Sequence, residues 1–339
     1  MSDFSEAPVL FGSDDHLFGL LTRPQGLTGQ MSDIGCLVLN TGVNHRIGPH
    51  RINVKAARRL AGAGLPALRF DLSGIGDSVA AQSRNGYRAQ ALEDMKAAMD
   101  FLSQRHGLRR FLVFGICSGA ENGLALALDD PRVIGLLSFD GEIYMTRTVR
   151  LERKLRRMAA FPRNAAVRAS YPWWHDLVGW LGDGDAAARE RSLGRLRALL
   201  PHRAAAAEAG GFLGGGEGKV FSAADYERAL LSLVDRGVAL SLMYSNTYNG
   251  FDRDHSMLSQ LRGSRLFGLV QYRFWPDIDH TATTLAMQAR LLDAVDSWAR
   301  GVAFGPAAQS QAASGAITTS GPAEMAAASD CASGKSRAK

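Results

Sequence analysis

Four short runs in the first half of the chain, GCLVLN (35–40), LPALRF (65–70), RRFLVFG (109–115) and RVIGLLSFD (132–140), are of strand length and apolar through their centres. A strand with no polar side must be covered on both faces, and only a parallel sheet wrapped by helices does that along its length. The segments between the runs meet this need. GPHRINVKAARRLAGAGL has helical spacing, with Pro49 near its start and Gly62 or Gly64 as its stop. YRAQALEDMKAAMDFLSQRHG and SGAENGLALALDD supply two more helices. Before the first run, residues 9–22, VLFGSDDHLFGLLT, read as two short strands joined by a polar turn. The expected class is therefore α/β, with a mostly parallel central sheet flanked by helices.

From about Gly141 the alternation stops, in a basic stretch rich in Ala, Gly and Trp. It resumes with GVALSLMYS (237–245), RLFGLVQYRFW (265–275) and a last helix, TTLAMQARLLDAVDSWARGV. This pattern divides the chain into a first core part at 1–140, an inserted helical cap at 141–236, and a second core part at 237–304. Residues 305–339 are mostly Ala, Ser, Gly and Thr without an aromatic, and are expected to be a disordered tail.

No run of 18 apolar residues occurs, and the opening MSDFSEAPVL has neither a basic start nor an apolar h-region. The expectation is a cytoplasmic protein without a membrane span or secretory signal. Cys36, Cys117 and Cys331 are odd in number and far apart, so neither a disulfide framework nor a metal site is expected. A net charge of +6 without a nucleic-acid motif argues against a nucleic-acid partner. The charge is concentrated, however. Between Arg147 and Arg168 eight Lys or Arg residues face one acid, Glu152. That stretch is either a solvated helix face or a landing surface for an anionic partner such as coenzyme A or an acyl-carrier protein.

Chemistry enters at FLVFGICSGAENG (111–123), where Gly115, Cys117 and Gly119 give the spacing G-x-nucleophile-x-G between a strand and a helix. Glycines on both sides let the backbone turn sharply and push the central side chain up at a helix N-terminus. Cys117 holds that place. Ser118, one step on, is expected to cap the helix and to offer its backbone N–H to an oxyanion hole. His280, in PDIDHTATT just past the last strand, is the candidate base. For the acid that orients it, Asp252 is taken first, with Asp140 and Asp254 as alternatives. Asp277 and Asp279 are expected only to shape the histidine loop.

The loop NTGVNHRIGPHR, after the first apolar run, is expected to supply the second oxyanion donor, the Val43 N–H. Gly42 there allows close backbone approach. His45 and Arg46 either belong to the helix start and the surface or line a polar mouth for an anionic or carbonyl-bearing substrate. Trp173 and Trp174, in YPWWHDLVGW, form either a small core for the cap or an acyl pocket.

Taken together, residues 9–304 resemble the α/β-hydrolase superfamily. NTGVNHRIGPHR, LAGAGLPALRFDLSGIGDS and the cysteine-centred elbow are similar to the bacterial hydrolases of exosortase and exopolysaccharide gene clusters, often labelled serine-aminopeptidase-like. The resemblance implies an esterase-like or acyl-transferring enzyme with a lid and no cofactor. The expected reaction is hydrolysis of a small-molecule ester or thioester through an acyl-Cys117 intermediate. Acyl transfer to a sugar or carrier, and a non-catalytic binding protein of the same fold, are the alternatives.

Overall fold

The computed structural model describes residues 3–25, 33–82, 85–141, 223–246 and 264–305. In chain order these form β1 (Phe4–Phe11), β2 (Leu17–Pro24), β3 (Ile34–Val38), α1 (Ile52–Gly62), β4 (Ala67–Phe70), α2 (Tyr87–His106), β5 (Arg110–Ile116) and α3 (Ser118–Asp129). They continue with β6 (Val133–Phe139), α4 (Ala223–Asp235), β7 (Ala239–Ser245), β8 (Gln271–Trp275) and α5 (Leu285–Phe304). The eight strands make one sheet in the order β1-β2-β4-β3-β5-β6-β7-β8. β1 and β2 pair as an antiparallel hairpin, β2 meets β4 antiparallel, and every pairing from β4 to β8 is parallel.

The apolar runs behave as their composition demands. All of β3 and β4, and all but one residue in each of β5, β6 and β7, are buried. One core lies where Met95, Met99 and Leu102 of α2, Leu124 of α3 and Leu230 and Leu233 of α4 meet Leu68, Val113 and Leu242. A second lies where Ile52 and Leu60 of α1 and Leu291, Val295 and Trp298 of α5 meet Val38, Phe114 and Phe139. The helices thus divide between two separate cores. Each fully buried Leu or Phe contributes on the order of 1.5–3 kcal/mol from removal of its apolar surface from water. The edge strands are more exposed, with buried positions confined to one end of β1 and of β8.

Two sequence boundaries shift. The range 141–236 was expected to be cap, but α4 lies inside it and packs Tyr226, Leu230 and Leu233 into the core beside α3. Its apolar face needs the sheet, so the core resumes by Ala223. The second change concerns RLFGLVQYRFW, read as a strand throughout. Its first part is a 3-10 turn, Arg265–Gly268, opened by the Ser264 hydroxyl accepting from Leu266 N at 3.2 Å, and only Gln271–Trp275 is strand. The rest of the proposed cap (142–222), including the basic run 147–168, lies outside the described residues, as does all of the tail beyond Gly305. Among the described residues no helix is long and apolar enough to cross a membrane.

Candidate active site

The carboxyl ends of the parallel strands converge on one edge of the sheet, where loops carry the chemistry-bearing residues. Cys117 sits between β5 and α3 with φ 55° and ψ −121°, a conformation that L-residues rarely adopt. The surroundings hold it there. Cys117 N donates to Phe139 O at 2.9 Å, and Cys117 O accepts from Ala120 N at 2.9 Å and Glu121 N at 3.2 Å. The two glycines of the motif are required by contact rather than by flexibility. A Cβ on Gly115 would run into the Gly119 carbonyl, and a Cβ on Gly119 would run into the Asn40 carbonyl at the end of β3. The elbow is therefore wedged between its own helix and the neighbouring strand, with Cys117 on top and partly exposed.

The other two cysteines differ. Cys36 is buried in β3, and burial pushes its thiol well above the ordinary range. Cys331 lies outside the described residues.

His280 follows β8. Its Nδ1 is 2.8 Å from Asp140 Oδ2, with the carboxylate at 0% side-chain exposure and the imidazole at 33%. Asp140 directly follows β6 in a left-handed conformation, φ 50°. Its amide donates to Met243 O at 2.8 Å, which folds the β6 tip towards β7. Oδ1 accepts from Ser245 N at 2.6 Å and Oδ2 from Ser245 Oγ at 2.5 Å. A buried polar group needs such partners to offset its loss of water.

The pairing with Asp140 is the largest cause that lifts His280, and interaction with Cys117 is the next. Burial opposes both, and the net result is a pKa pushed up to about 10. With Nδ1 on Asp140, Nε2 is the nitrogen left for Cys117. The carboxylate on His280 is thus Asp140, expected only as an alternative. Asp252 and Asp254 lie outside the described residues. The reason for Asp140 is visible at β7. Ser245 ends that strand, and both its polar groups go to the carboxylate from the strand next door. Ser245 itself went unnoticed in the sequence, where its signal was a polar residue closing an apolar strand.

The histidine loop is shaped as expected. Asp279 accepts from Thr281 N at 3.0 Å and Thr283 N at 3.2 Å, and these bonds hold its carboxyl below the usual range despite burial. Asp277 pairs with Arg290 on α5, whose guanidinium lies 5.5 Å from the Trp275 ring centre.

The loop after β3 also reaches the elbow. Gly42, at φ 57°, donates its amide to Ser118 Oγ at 2.7 Å. Ser118 therefore does not cap α3 with its side chain, the role expected of it, because its oxygen is engaged with the loop. Its main-chain N–H belongs to the first helical turn, where no intrahelical acceptor exists. Val43 comes next after Gly42 and is 89% exposed.

Arg46 is not placed as a substrate ligand. It pairs with buried Asp71 and, at 2.6 Å, with Asp77, and it lies 4.3 Å from the Phe18 ring centre. Its amide also donates to Asp71 Oδ1 at 2.5 Å, so Arg46 anchors the loop rather than opening it to a ligand. His45 is exposed on the same loop, and its Cβ lies where a side chain on Gly76 would collide. Trp173 and Trp174 lie outside the described residues.

Glu121, one turn beyond Cys117, was not singled out in the sequence. Burial raises its carboxyl above the ordinary range, and the charge of Arg88 offsets part of that. Among the described residues there is no group of three or more His, Cys, Asp or Glu side chains that could hold a metal.

No protein-family model matches the sequence, and a comparison with curated proteins finds no match. Solved structures do match. An esterase from Pyrococcus furiosus superposes with a TM-score of 0.51 at 14% identity, over 87% of this chain and 90% of the esterase. A proline iminopeptidase from Mycobacterium smegmatis gives 0.50 at 16% identity, over 88% of this chain and 98% of its own. At such identities the likeness speaks to architecture. Together with the strand order, the elbow between β5 and α3 and the histidine after the last strand, it shows that the chain has the α/β-hydrolase fold.

Proposed function

We propose that this protein is a hydrolase that cleaves an ester or thioester through a covalent acyl-Cys117 intermediate, with His280 as the proton carrier and Asp140 as the acid that orients it. The observation that carries the reading is the fixed Asp140–His280 pair, in which the imidazole is raised further by Cys117. An imidazolium beside a thiolate at a helix N-terminus is the usual way to keep a cysteine reactive at neutral pH.

In this scheme Sγ attacks the substrate carbonyl carbon, and the carbonyl π pair moves onto oxygen. The amides of Val43 and Ser118 would hold that oxyanion. As the tetrahedral species collapses, the leaving oxygen or sulfur takes the proton from His280 Nε2, and an acyl-thioester remains on Cys117. Acylation removes the negative charge on sulfur, and with it part of what keeps His280 protonated. The neutral imidazole can then accept a proton from water as its oxygen attacks the acyl carbon. Breakage of the C–S bond returns thiolate and imidazolium. Asp140 keeps Nδ1 hydrogen-bonded throughout and so fixes the tautomer.

Incubation with p-nitrophenyl acetate should give a burst of nitrophenol and a peptide containing Cys117 heavier by one acetyl group. A burst that persists in Cys117→Ala would defeat the reading. The same intermediate serves acyl transfer. The concentrated positive charge between Arg147 and Arg168 supports an anionic acyl donor such as coenzyme A or an acyl-carrier protein.

A further inference from the structure

We propose that the Ser118 hydroxyl is a positioning residue that sets the geometry of the oxyanion hole by tethering the loop after β3 to the nucleophile elbow. The proposal rests on Cys117 as nucleophile and adds a function for its neighbour. An oxyanion hole made of two amides works only if both point at the same spot, and here they come from separate segments of chain. The Ser118 amide is fixed by the start of α3. The Val43 amide belongs to a loop whose far side is pinned by Asn44 N on Thr41 O at 3.0 Å, Asn40 Nδ2 on Asn44 O at 3.0 Å, and Arg46 N on Asp71 Oδ1 at 2.5 Å.

Those contacts hold the loop to β3 and β4. Among the described residues the hydrogen bond that joins loop to elbow is the 2.7 Å one from Gly42 N to Ser118 Oγ, one residue before Val43. Gly42 has open space around its Cβ position and a left-handed φ, so its own packing does little to set the direction of the following amide. One residue thus offers one donor through its backbone and aims the other through its side chain. Errors of about 1 Å in such donors cost on the order of a hundredfold in rate.

The test separates acyl chemistry from thiol chemistry. Alkylation by iodoacetamide needs the Cys117 thiolate but forms no oxyanion, whereas acylation by p-nitrophenyl acetate needs both. In Ser118→Ala the burst rate constant should fall about 10- to 100-fold, the range for a weakened oxyanion donor. Alkylation of Cys117 should stay within about twofold, and the substrate dissociation constant read from the concentration dependence of the burst within about threefold, because neither samples the transition-state oxygen. Ser118→Thr keeps the accepting oxygen and should stay within about threefold of wild type in both reactions. Wild-type acylation in Ser118→Ala, a parallel fall of acylation and alkylation, or no recovery in Ser118→Thr would overturn the proposal. A burst retained in Cys117→Ala would remove the nucleophile on which it rests, and that result is read independently of Ser118.

Discussion

Ser245 gives both its amide and its hydroxyl to the Asp140 carboxylate, at 2.6 and 2.5 Å, so the tip of β7 holds the carboxylate that grows from the tip of β6. The carboxylate is fully buried, and among the described residues its other hydrogen-bond partner is His280 Nδ1. Exchanging the carboxylate for an amide keeps the shape but reverses the preferred tautomer of the imidazole. Asp140→Asn is therefore expected to slow acylation of Cys117 by about 10³- to 10⁴-fold. Asp252→Asn is expected to stay near the wild-type rate. Pre-steady-state bursts with a p-nitrophenyl ester measure both, and the reverse ranking would move the acid to Asp252.

The lifted pKa of His280 carries a stability prediction with a definite sign. A histidine raised in the folded state stabilises it fully below the unfolded value of about 6.5, and that contribution is lost as pH rises towards the folded value. With the folded value about 10, the window runs from about 6.5 to about 10. The difference in Tm between wild type and His280→Gln should be largest near the lower limit and shrink steadily across the window. Thermal unfolding at half-unit pH steps gives this directly. A difference that stays flat across the window would mean that the imidazole is already neutral at its lower limit.

Thiol chemistry offers a third check. Cys36 is buried with its thiol pushed up, while Cys117 is partly exposed and beside His280. Iodoacetamide at pH 6 should label Cys117 at least about tenfold faster than Cys36, since the thiolate is the reacting form. Peptide mass spectrometry over a time course resolves the two sites. Equal labelling would show that the protein opens before it reacts.

At the elbow, Gly119→Ala is expected to cost at least about 2 kcal/mol and most of the acylation activity, because the new methyl meets the Asn40 carbonyl rather than a movable side chain. Gly62→Ala, on α1 with open space around its Cβ position, serves as the control and should be neutral or slightly stabilising. Urea unfolding of the two variants compares them.

The fold was legible because burial on both faces leaves an unambiguous mark. GCLVLN and RVIGLLSFD could be nothing but interior strands, and the hairpin at the N-terminus showed its polar turn. What failed was local. RLFGLVQYRFW is apolar enough for a strand throughout, yet Arg265–Gly268 turns because Ser264 offers a better local hydrogen bond than a sheet edge does. The helix Ala223–Asp235 was given to the cap because the surrounding Ala- and Gly-rich composition hid its apolar stripe.

At the site, the sequence shows where Cys117 and His280 stand relative to the strand ends, and the structure has them there. The carboxylate that meets His280 was harder to read, because two strand tips lie side by side and sequence order does not say which one reaches the imidazole. Arg46 illustrates a further limit. A basic residue in a loop beside the elbow looks like a ligand until its partners, Asp71 and Asp77, are known.

The placement of Asp140 also bears on how such a chain can diverge. Cys117, Asp140 and His280 hang from the ends of β5, β6 and β8, strands of one parallel run joined side by side through β7. A change that moves one of these strand tips moves the others with it, so this part of the sheet has little freedom to drift.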